Sequence, residues 1–281
     1  MKIGTISDLH IDRHPKLEPQ AYLDALVYIV EQRNIELLLI AGDMSNDYLQ
    51  SYQFIQDLKE KCRIPILFVP GNHDYWTSEA SLSSKQISEF YASKPDCLIG
   101  KPYVVNDHWA IAGHTAWYDY SYADDKFDLD RIKRGKYYGA TWQDKVKIDW
   151  DIDDRVLSKE AAKQIQEDLD QVKDKHIILM THIVTHPKFI VPMPHRIFDF
   201  FNAYIGTKDF DEFYSTYSIR YSIMGHVHFR KMINENGITY ICPCLGYQRQ
   251  WRTSDINQEI NNALVSFDIS AVSYTHLTLP T

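Results

Sequence analysis

The chain has 281 residues, 44% of them hydrophobic and 13% aromatic, and its 30 Lys and Arg against 38 Asp and Glu give a net charge of −8. This composition excludes a disordered chain and suffices for a buried core in one large domain or two small ones. The charge argues against general binding to nucleic acid backbones, and no apolar run approaches the roughly 18 residues that span a bilayer.

The first 75 residues alternate between strand and helix patterns. A β-prone run over residues 2–7 is followed by a helical spacing of apolar residues over 19–33 and by a continuous apolar run of strand length over 35–41. A second helix over residues 48–61 leads to a strand over 65–69. Strands and helices in this alternation predict right-handed βαβ units and a mainly parallel sheet.

Further apolar runs later in the chain predict the remaining strands. Two of them cover residues 176–181, followed directly by His182, and residues 221–224, followed by Gly225-His226-Val227-His228. Two more runs, over residues 238–242 and 263–269, predict the closing strands.

Side chains able to bind metals follow five of these strands, at the point where each strand ends. In open α/β sheets, functional sites are built at the carboxyl ends of the strands. The residues at these five places are Asp8, His10, Asp43, Asn72, His73, Asp74, His182, His226 and His228. Because residues i and i+2 of an extended segment point to the same side, we expect each Asp-x-His or His-x-His pair to face one cluster.

The order of these residues along the chain is informative in itself. They form the motifs Asp-x-His, Gly-Asp, Gly-Asn-His-Asp, a single His and Gly-His-x-His. This ordered set resembles the calcineurin-like metallophosphoesterase superfamily, and the resemblance covers residues 1–245. It implies an α/β fold in which a sandwich of two mixed β-sheets is flanked by helices, in four αββα layers. We expect residues 1–272 to form a single domain and residues 273–281, which include His276, to be a non-native or disordered tail.

The resemblance also implies two divalent metal ions that share one carboxylate. The first ion would be held by Asp8, His10, Asp43 and His228, and the second by Asp43, Asn72, His182 and His226. A hydroxide bridging the two ions would attack the phosphorus atom in line, so that no nucleophilic side chain is required.

Two residues of the third motif are expected to take part in catalysis. His73 would contact the phosphate or donate a proton to the leaving group. Asp74 would orient the ring of His73 through its other nitrogen. The alternative is that both residues cap the helix that follows.

The sequence excludes one type of metal centre but does not identify the metal. Purple acid phosphatases have a metal-binding tyrosine three residues after the bridging aspartate, where this chain has Asn46, and they lack a histidine where this chain has His10. An Fe(III) tyrosinate centre is therefore not expected. We expect Mn²⁺, with Fe, Zn, Ni and Co as alternatives that the ligand types do not separate.

Two stretches, residues 115–157 and 186–218, have no regular period. The first holds nine aromatic residues between Trp117 and Trp150, and such an insertion is more typical of a functional loop than of disorder. It is either a lid whose rings contact the substrate or a loop packed onto the body of the protein. In the lid interpretation a basic side chain would reach a second phosphate or carboxylate; the candidates are Arg131, Lys133, Arg134 and Lys136.

The second stretch is lid-like and contains an aromatic, helix-compatible segment over residues 198–205. This segment could form a second wall of the pocket, a dimer contact or buried packing. Two further histidines, His114 and His186, are open to interpretation as packing residues or as residues near the phosphate.

These observations predict a metal-dependent hydrolase that acts on a phosphate monoester or diester of a small molecule. The alternatives are a nuclease of the same superfamily, which the negative charge disfavours, and an inactive metal-binding scaffold, which would be expected to lack His73 or several ligands.

The expected partner is a small phosphorylated substrate, and we expect no association with a membrane. A cytoplasmic location is expected, because the amino-terminal apolar run is too short for a signal peptide and the four cysteines form no disulfide framework. The oligomeric state stays open.

Overall fold

The computed structural model describes residues 1–77 and 82–269. The predicted tail over residues 273–281, and the last residues of the predicted domain, lie outside the described residues.

Strands and helices alternate over the first part of the chain, as the apolar pattern predicts. The strands are β1 Lys2–Ile6, β2 Leu37–Ala41, β3 Ile66–Val69, β4 Tyr103–Val104, β5 Trp109–His114, β6 Lys136–Tyr137, β7 Ala140–Thr141, β8 His176–Thr181, β9 Ile219–Ile223, β10 Arg230–Glu235, β11 Ile238–Pro243 and β12 Val265–Asp268. The helices are α1 Pro19–Gln32, α2 Tyr48–Cys62, α3 Ser84–Ala92, α4 Leu129–Lys133, α5 Asp144–Lys147, α6 Asp154–Gln171, α7 Phe198–Phe201, α8 Phe213–Thr216 and α9 Ile256–Ala263.

Ten of the twelve strands just given form two mixed sheets. The first has the order β12-β1-β2-β3, with β1, β2 and β3 parallel and β12 antiparallel to β1. The second has the order β10-β11-β9-β8-β5-β4, in which the four inner strands are parallel and the two edge strands are antiparallel. The prediction of an α/β sandwich of two mixed sheets is confirmed.

Strands such as β2, β3 and β8 are buried on both faces, which explains their continuous apolar runs. In β2, Leu37 and Leu39 pack between the two sheets, whereas Leu38 and Ile40 pack under the helices of the first sheet. Those helices are α1, α2, α3 and α9. Helix α6 and the two irregular stretches cover the outer face of the second sheet. The arrangement is therefore four layers, with the sheets in the middle.

Short elements occupy residues 115–157, the first of the two stretches that lack a regular period in the sequence. It contains helices α4 and α5 and the β6-β7 hairpin, and α6 begins inside it at Asp154. Among the described residues, no helix combines the length and the apolarity needed to cross a bilayer.

Leu39 tests the importance of the layer between the sheets. Its side chain is fully buried, so Leu39→Ala should lower the free energy of unfolding by about 2–5 kcal/mol. Leu49→Ala is the matched control, because Leu49 is 50% exposed on α2 and its loss should change stability by less than about 0.5 kcal/mol. Urea denaturation measures both values, and equal effects would contradict the assignment of this layer as core.

Candidate metal centre

The carboxyl ends of five parallel strands bring the predicted site residues to one edge of the sandwich. The first sheet presents the residues that follow β1, β2 and β3, and the second sheet presents those that follow β8 and β9. The structure brings all seven predicted ligands together there. They are Asp8, His10, Asp43, Asn72, His182, His226 and His228.

The backbone leaves these strand ends in an unusual conformation. Asp8, His10, Asp43, His226 and His228 all have a positive φ, between 44° and 72°. Each such residue costs about 1 kcal/mol or more, and such strain clusters at functional sites. Asp8 with His10 and His226 with His228 do reach the cluster, but through left-handed backbone. The expectation that they lie in an extended segment is therefore wrong.

One group of ligands consists of Asp8, His10, Asp43 and His228. The Nε2 atoms of His10 and His228 lie 3.0 Å apart. The Nε2 atom of His10 is 3.7 Å from Asp43 Oδ2, and that of His228 is 3.4 Å from Asp8 Oδ1. One ligand atom from each of the four residues falls within 4.8 Å of the others, so the group could hold a cation.

A second group shares Asp43 with the first and adds His182 and His226. His182 Nε2 lies 3.4 Å from Asp43 Oδ1, so the two oxygens of this carboxylate face different groups. The Oδ1 atom of Asn72 lies 3.0 Å from His182 Nε2 and 2.9 Å from His226 Nδ1. This arrangement suits a carboxylate that bridges two ions.

Three of the four imidazoles are oriented by a carbonyl oxygen outside the cluster. The contacts are His182 Nδ1 to the Ala41 carbonyl at 2.8 Å, His226 Nε2 to the Tyr204 carbonyl at 3.0 Å, and His228 Nδ1 to Gln250 Oε1 at 2.7 Å. Because a carbonyl only accepts, each outer nitrogen carries a proton, so the inner nitrogen is the one that can give up its proton and present a lone pair to a cation. Metal-binding histidines are usually held in this way.

The two carboxylates at the centre keep their negative charge despite burial. Burial raises the pKa of Asp8, but the hydrogen bond and the charge of His228 outweigh it and hold that pKa below its ordinary value. In the same way, the charges of His182 and His73 outweigh burial and hold the pKa of Asp43 well down. Buried carboxylates need a compensating positive charge. With mixed oxygen and imidazole donors, the residues fit a pair of divalent cations.

Two glycines make room for this cluster. A Cβ atom on Gly71 would lie 2.1 Å from Asp43 Oδ1, and one on Gly42 would lie 2.5 Å from the backbone nitrogen of Gly71. Gly42 also has a φ of +84°. The glycine of the Gly-Asp motif and that of the Gly-Asn-His-Asp motif are therefore required for the close approach of the two loops.

The structure corrects the role predicted for Asp74. Its carboxylate does not contact the ring of His73 but accepts hydrogen bonds from the loop after β2 and from its own loop. The donors are the backbone N–H groups of Asp43, Met44, Ser45 and Gly71 and the hydroxyl of Ser51, at 2.6–3.2 Å. Asp74 is fully buried and fixes the shape of the loops that carry Asp43 and Asn72. Sequence adjacency suggested the wrong partner because successive side chains point in different directions.

The ring of His73 is oriented by Asn46 instead. His73 Nδ1 donates a hydrogen bond to Asn46 Oδ1, 2.6 Å away, and the ring stacks on Trp76 with centroids 3.9 Å apart. The Nε2 atom lies 3.4 Å from the hydroxyl of Tyr247, at the wall of a cavity. Asn46 was noted in the sequence only as the residue that replaces a tyrosine.

A cavity of about 400 Å³ opens over the cluster. Asp43, Asn72, His73, His226 and His228 form its floor. Its walls come largely from the two irregular stretches: Trp142 and Asp144 from the first, and Val191, Phe198 and Ile205 from the second. Arg13 and Arg249 also line the cavity and lie on the ring of Tyr247.

The aromatic insertion is thus mostly a packed loop, with one edge at the cavity. Trp117, Tyr118, Tyr120, Tyr122 and Phe127 are buried, whereas Trp142 reaches the cavity. None of the described basic residues from 131 to 136 lines it. Sequence reasoning missed the two arginines that do, because nothing near residues 13 and 249 marks them out.

Two further histidines lie apart from the cluster. His114 Nδ1 accepts a hydrogen bond from the backbone of Ala116, and burial lowers its pKa to about 4, which indicates a packing role. His186 contacts the ring of Tyr240, with the ring centroids 4.2 Å apart, and lies 3.8 Å from a carboxylate oxygen of Glu235. Neither residue lines the cavity described above.

Comparison with known sequences agrees with the motifs. A family model of calcineurin-like phosphoesterases matches residues 1–230. A probable cyclic nucleotide phosphodiesterase of Synechococcus sp. is 25% identical over 258 residues, 87% of this chain and 79% of that protein. A second probable cyclic nucleotide phosphodiesterase, from Vesicomyosocius okutanii, is 31% identical over 94 residues, 32% of this chain and 40% of that protein.

Solved structures share the fold. A phosphopantetheinyl hydrolase from Mycobacterium tuberculosis has a TM-score of 0.73 at 16% identity, covering 91% of this chain and 94% of that chain. A dimetal phosphatase from Danio rerio has a TM-score of 0.54 at 12% identity, covering 86% of each chain. At these identities the likeness concerns the fold alone.

The corrected role of Asp74 predicts a loss of stability. Asp74→Ala leaves several buried N–H groups without an acceptor and should lower the free energy of unfolding by about 3 kcal/mol or more, measured by urea denaturation. His73→Ala removes the neighbouring, half-buried ring and should cost about 1 kcal/mol or less. If Asp74 acted only by holding His73, the two variants would have the same stability.

Proposed function

Because the chain belongs to the calcineurin-like phosphoesterase family, we propose that it hydrolyses phosphate monoesters or diesters of a small molecule with the help of two divalent cations. The observation that carries this proposal is the pair of ligand groups that share Asp43 at the floor of a cavity. The probable phosphodiesterases among its relatives make diesters the first substrates to test.

The chain's own residues would divide the task of holding the cations. Asp8, His10, Asp43 and His228 would hold one ion, and Asp43, Asn72, His182 and His226 the other. When bound, such ions neutralise phosphate oxygens and make water acidic enough to supply a nucleophile at neutral pH. We propose Mn²⁺ as the ion, with Fe, Zn, Ni and Co as alternatives.

His73 is the proposed acid–base residue. It follows the ligand Asn72 directly, and its Nε2 atom is on the cavity side while Asn46 holds the opposite nitrogen. From this position the doubly protonated ring of His73 would donate, from Nε2, a hydrogen bond to the phosphate or a proton to the departing ester oxygen. The hydroxyl of Tyr247 lies next to the same nitrogen and would help to place it.

The cavity walls support an anionic substrate with an organic group. Arg13 and Arg249 place positive charge beside the floor, where a phosphate would bind. The cavity is also lined by the apolar and aromatic side chains of Trp142, Phe198 and Ile205, which would contact the organic part of the ester.

Metal dependence tests the proposal. Protein treated with EDTA should lose at least about 90% of its activity on bis(p-nitrophenyl) phosphate, and Mn²⁺ should restore it, because the nucleophile depends on the cation. p-Nitrophenyl phosphate, cyclic nucleotides and single-stranded DNA serve as comparison substrates. Faster cleavage of DNA than of the small esters would favour the nuclease alternative. Mn²⁺ binding without hydrolysis of any of these esters would favour the scaffold alternative.

His73 and Asn46 make a second test. His73→Ala should lower kcat about 10²–10⁴-fold, since a positioned acid–base group contributes this much. Asn46→Ala should lower kcat about 10-fold, because the ring of His73 remains but loses its partner. Steady-state kinetics at saturating Mn²⁺ measure both effects. Unchanged kcat in His73→Ala would remove this residue from the proposed mechanism.

A further inference from the structure

The side-chain amide of Asn72 has different partners at its two ends: imidazole nitrogens face its oxygen, and a carboxylate faces its NH₂ group. Its Oδ1 atom faces His182 Nε2 at 3.0 Å and His226 Nδ1 at 2.9 Å. Its Nδ2 atom donates to both oxygens of Asp144, at 2.9 Å and 3.1 Å. Asp144 is therefore the group behind this ligand, on the side away from the cluster.

An asparagine amide has almost the same shape when it is turned by 180° about its terminal bond, so hydrogen-bond partners decide its orientation. A carboxylate accepts hydrogen bonds and cannot donate them, so only the NH₂ group of Asn72 can face Asp144. The carbonyl oxygen must then face His182 and His226. Without Asp144, the NH₂ group could turn toward the cation, where it is not a ligand.

Asp144 is itself firmly placed. It is the first residue of α5 and only 3% exposed. The indole N–H groups of Trp76 and Trp142 donate to its two oxygens, at 3.2 Å and 2.9 Å. Trp76 stacks on His73, and Trp142 contacts the ring of His226 and forms part of the cavity wall. One carboxylate thus joins the aromatic insertion to the candidate metal centre.

We propose that Asp144 is a positioning residue for the second metal ion, because it fixes the Asn72 amide with its oxygen toward that ion. The inference rests on the proposed function for the presence of two ions. It assigns to the insertion a role in metal binding, in addition to its role as a wall of the cavity.

Metal binding by the full chain tests this inference. In a calorimetric titration with Mn²⁺, the wild type should bind two ions. Asp144→Ala should bind one of them about 10–100-fold more weakly, as is typical when a partner of a metal ligand is lost. The other ion should keep its affinity within about threefold, because its ligands do not include Asn72.

Asp154→Ala is the matched control. Asp154 is also a buried carboxylate of the insertion, and it also accepts from an indole, Trp117 Nε1 at 2.9 Å, besides Tyr120 and Lys145. None of these partners is a predicted ligand. Asp154→Ala should therefore retain both Mn²⁺ affinities. If both variants lower the affinity for both Mn²⁺ ions equally, Asp144 is merely structural and the inference is overturned.

Asp144→Asn provides a variant of nearly the same shape, in case Asp144→Ala does not fold. It replaces one acceptor oxygen of the carboxylate by an NH₂ donor, and it should also lower the affinity for the second Mn²⁺ ion by about 10-fold. Unchanged binding of two ions in a folded Asp144 variant overturns the inference, even where esters are hydrolysed. Selective loss of the second ion in a protein that hydrolyses no ester supports the inference and contradicts the proposed function. A wild type that binds fewer than two ions contradicts both.

Discussion

Left-handed backbone at the strand ends is the constraint on which the site depends. Five of the seven predicted ligands have a positive φ, a backbone conformation that residues other than glycine adopt only at a cost in free energy. This conformation turns the chain sharply at the edge of a sheet. It lets the ligand side chains of two sheets meet while the chain continues into a loop. At Asp43 this cost is opposed by the buried hydrogen bonds that the Asp74 carboxylate accepts from the backbone of Asp43 and of the residues around it.

The sequence predicted the features that local pattern encodes. Buried strands are continuous apolar runs, and β8 has the predicted bounds because both of its faces are covered. The metal-capable residues were found because they follow such runs directly. Partners distant in the chain were not found: Asn46 lies 27 positions from His73, and Asp144 lies 72 positions from Asn72. Only the fold brings such pairs together, so no spacing in the sequence could reveal them.

The aromatic insertion shows the limit of composition as a guide. Its composition correctly indicated an ordered segment, but the same rings serve as core and as cavity wall. Tyr118 and Phe127 are buried against the body of the protein, whereas Trp142 lies beside His226. Asp144, at the start of α5, accepts a hydrogen bond from Trp142 Nε1 and so helps to hold this ring at the cavity. The two interpretations of the insertion therefore each describe a part of it.

The separation of the ligands along the chain bears on the order of events during synthesis. His10 and His228 lie 218 positions apart, so their pairing requires both sheets to be docked. A growing polypeptide exposes Asp8 and His10 long before the last histidines have been made. Contacts between such distant segments form late in folding because closing long loops is slow. A cation bound by the complete set would therefore stabilise the finished molecule and give little help to its precursors.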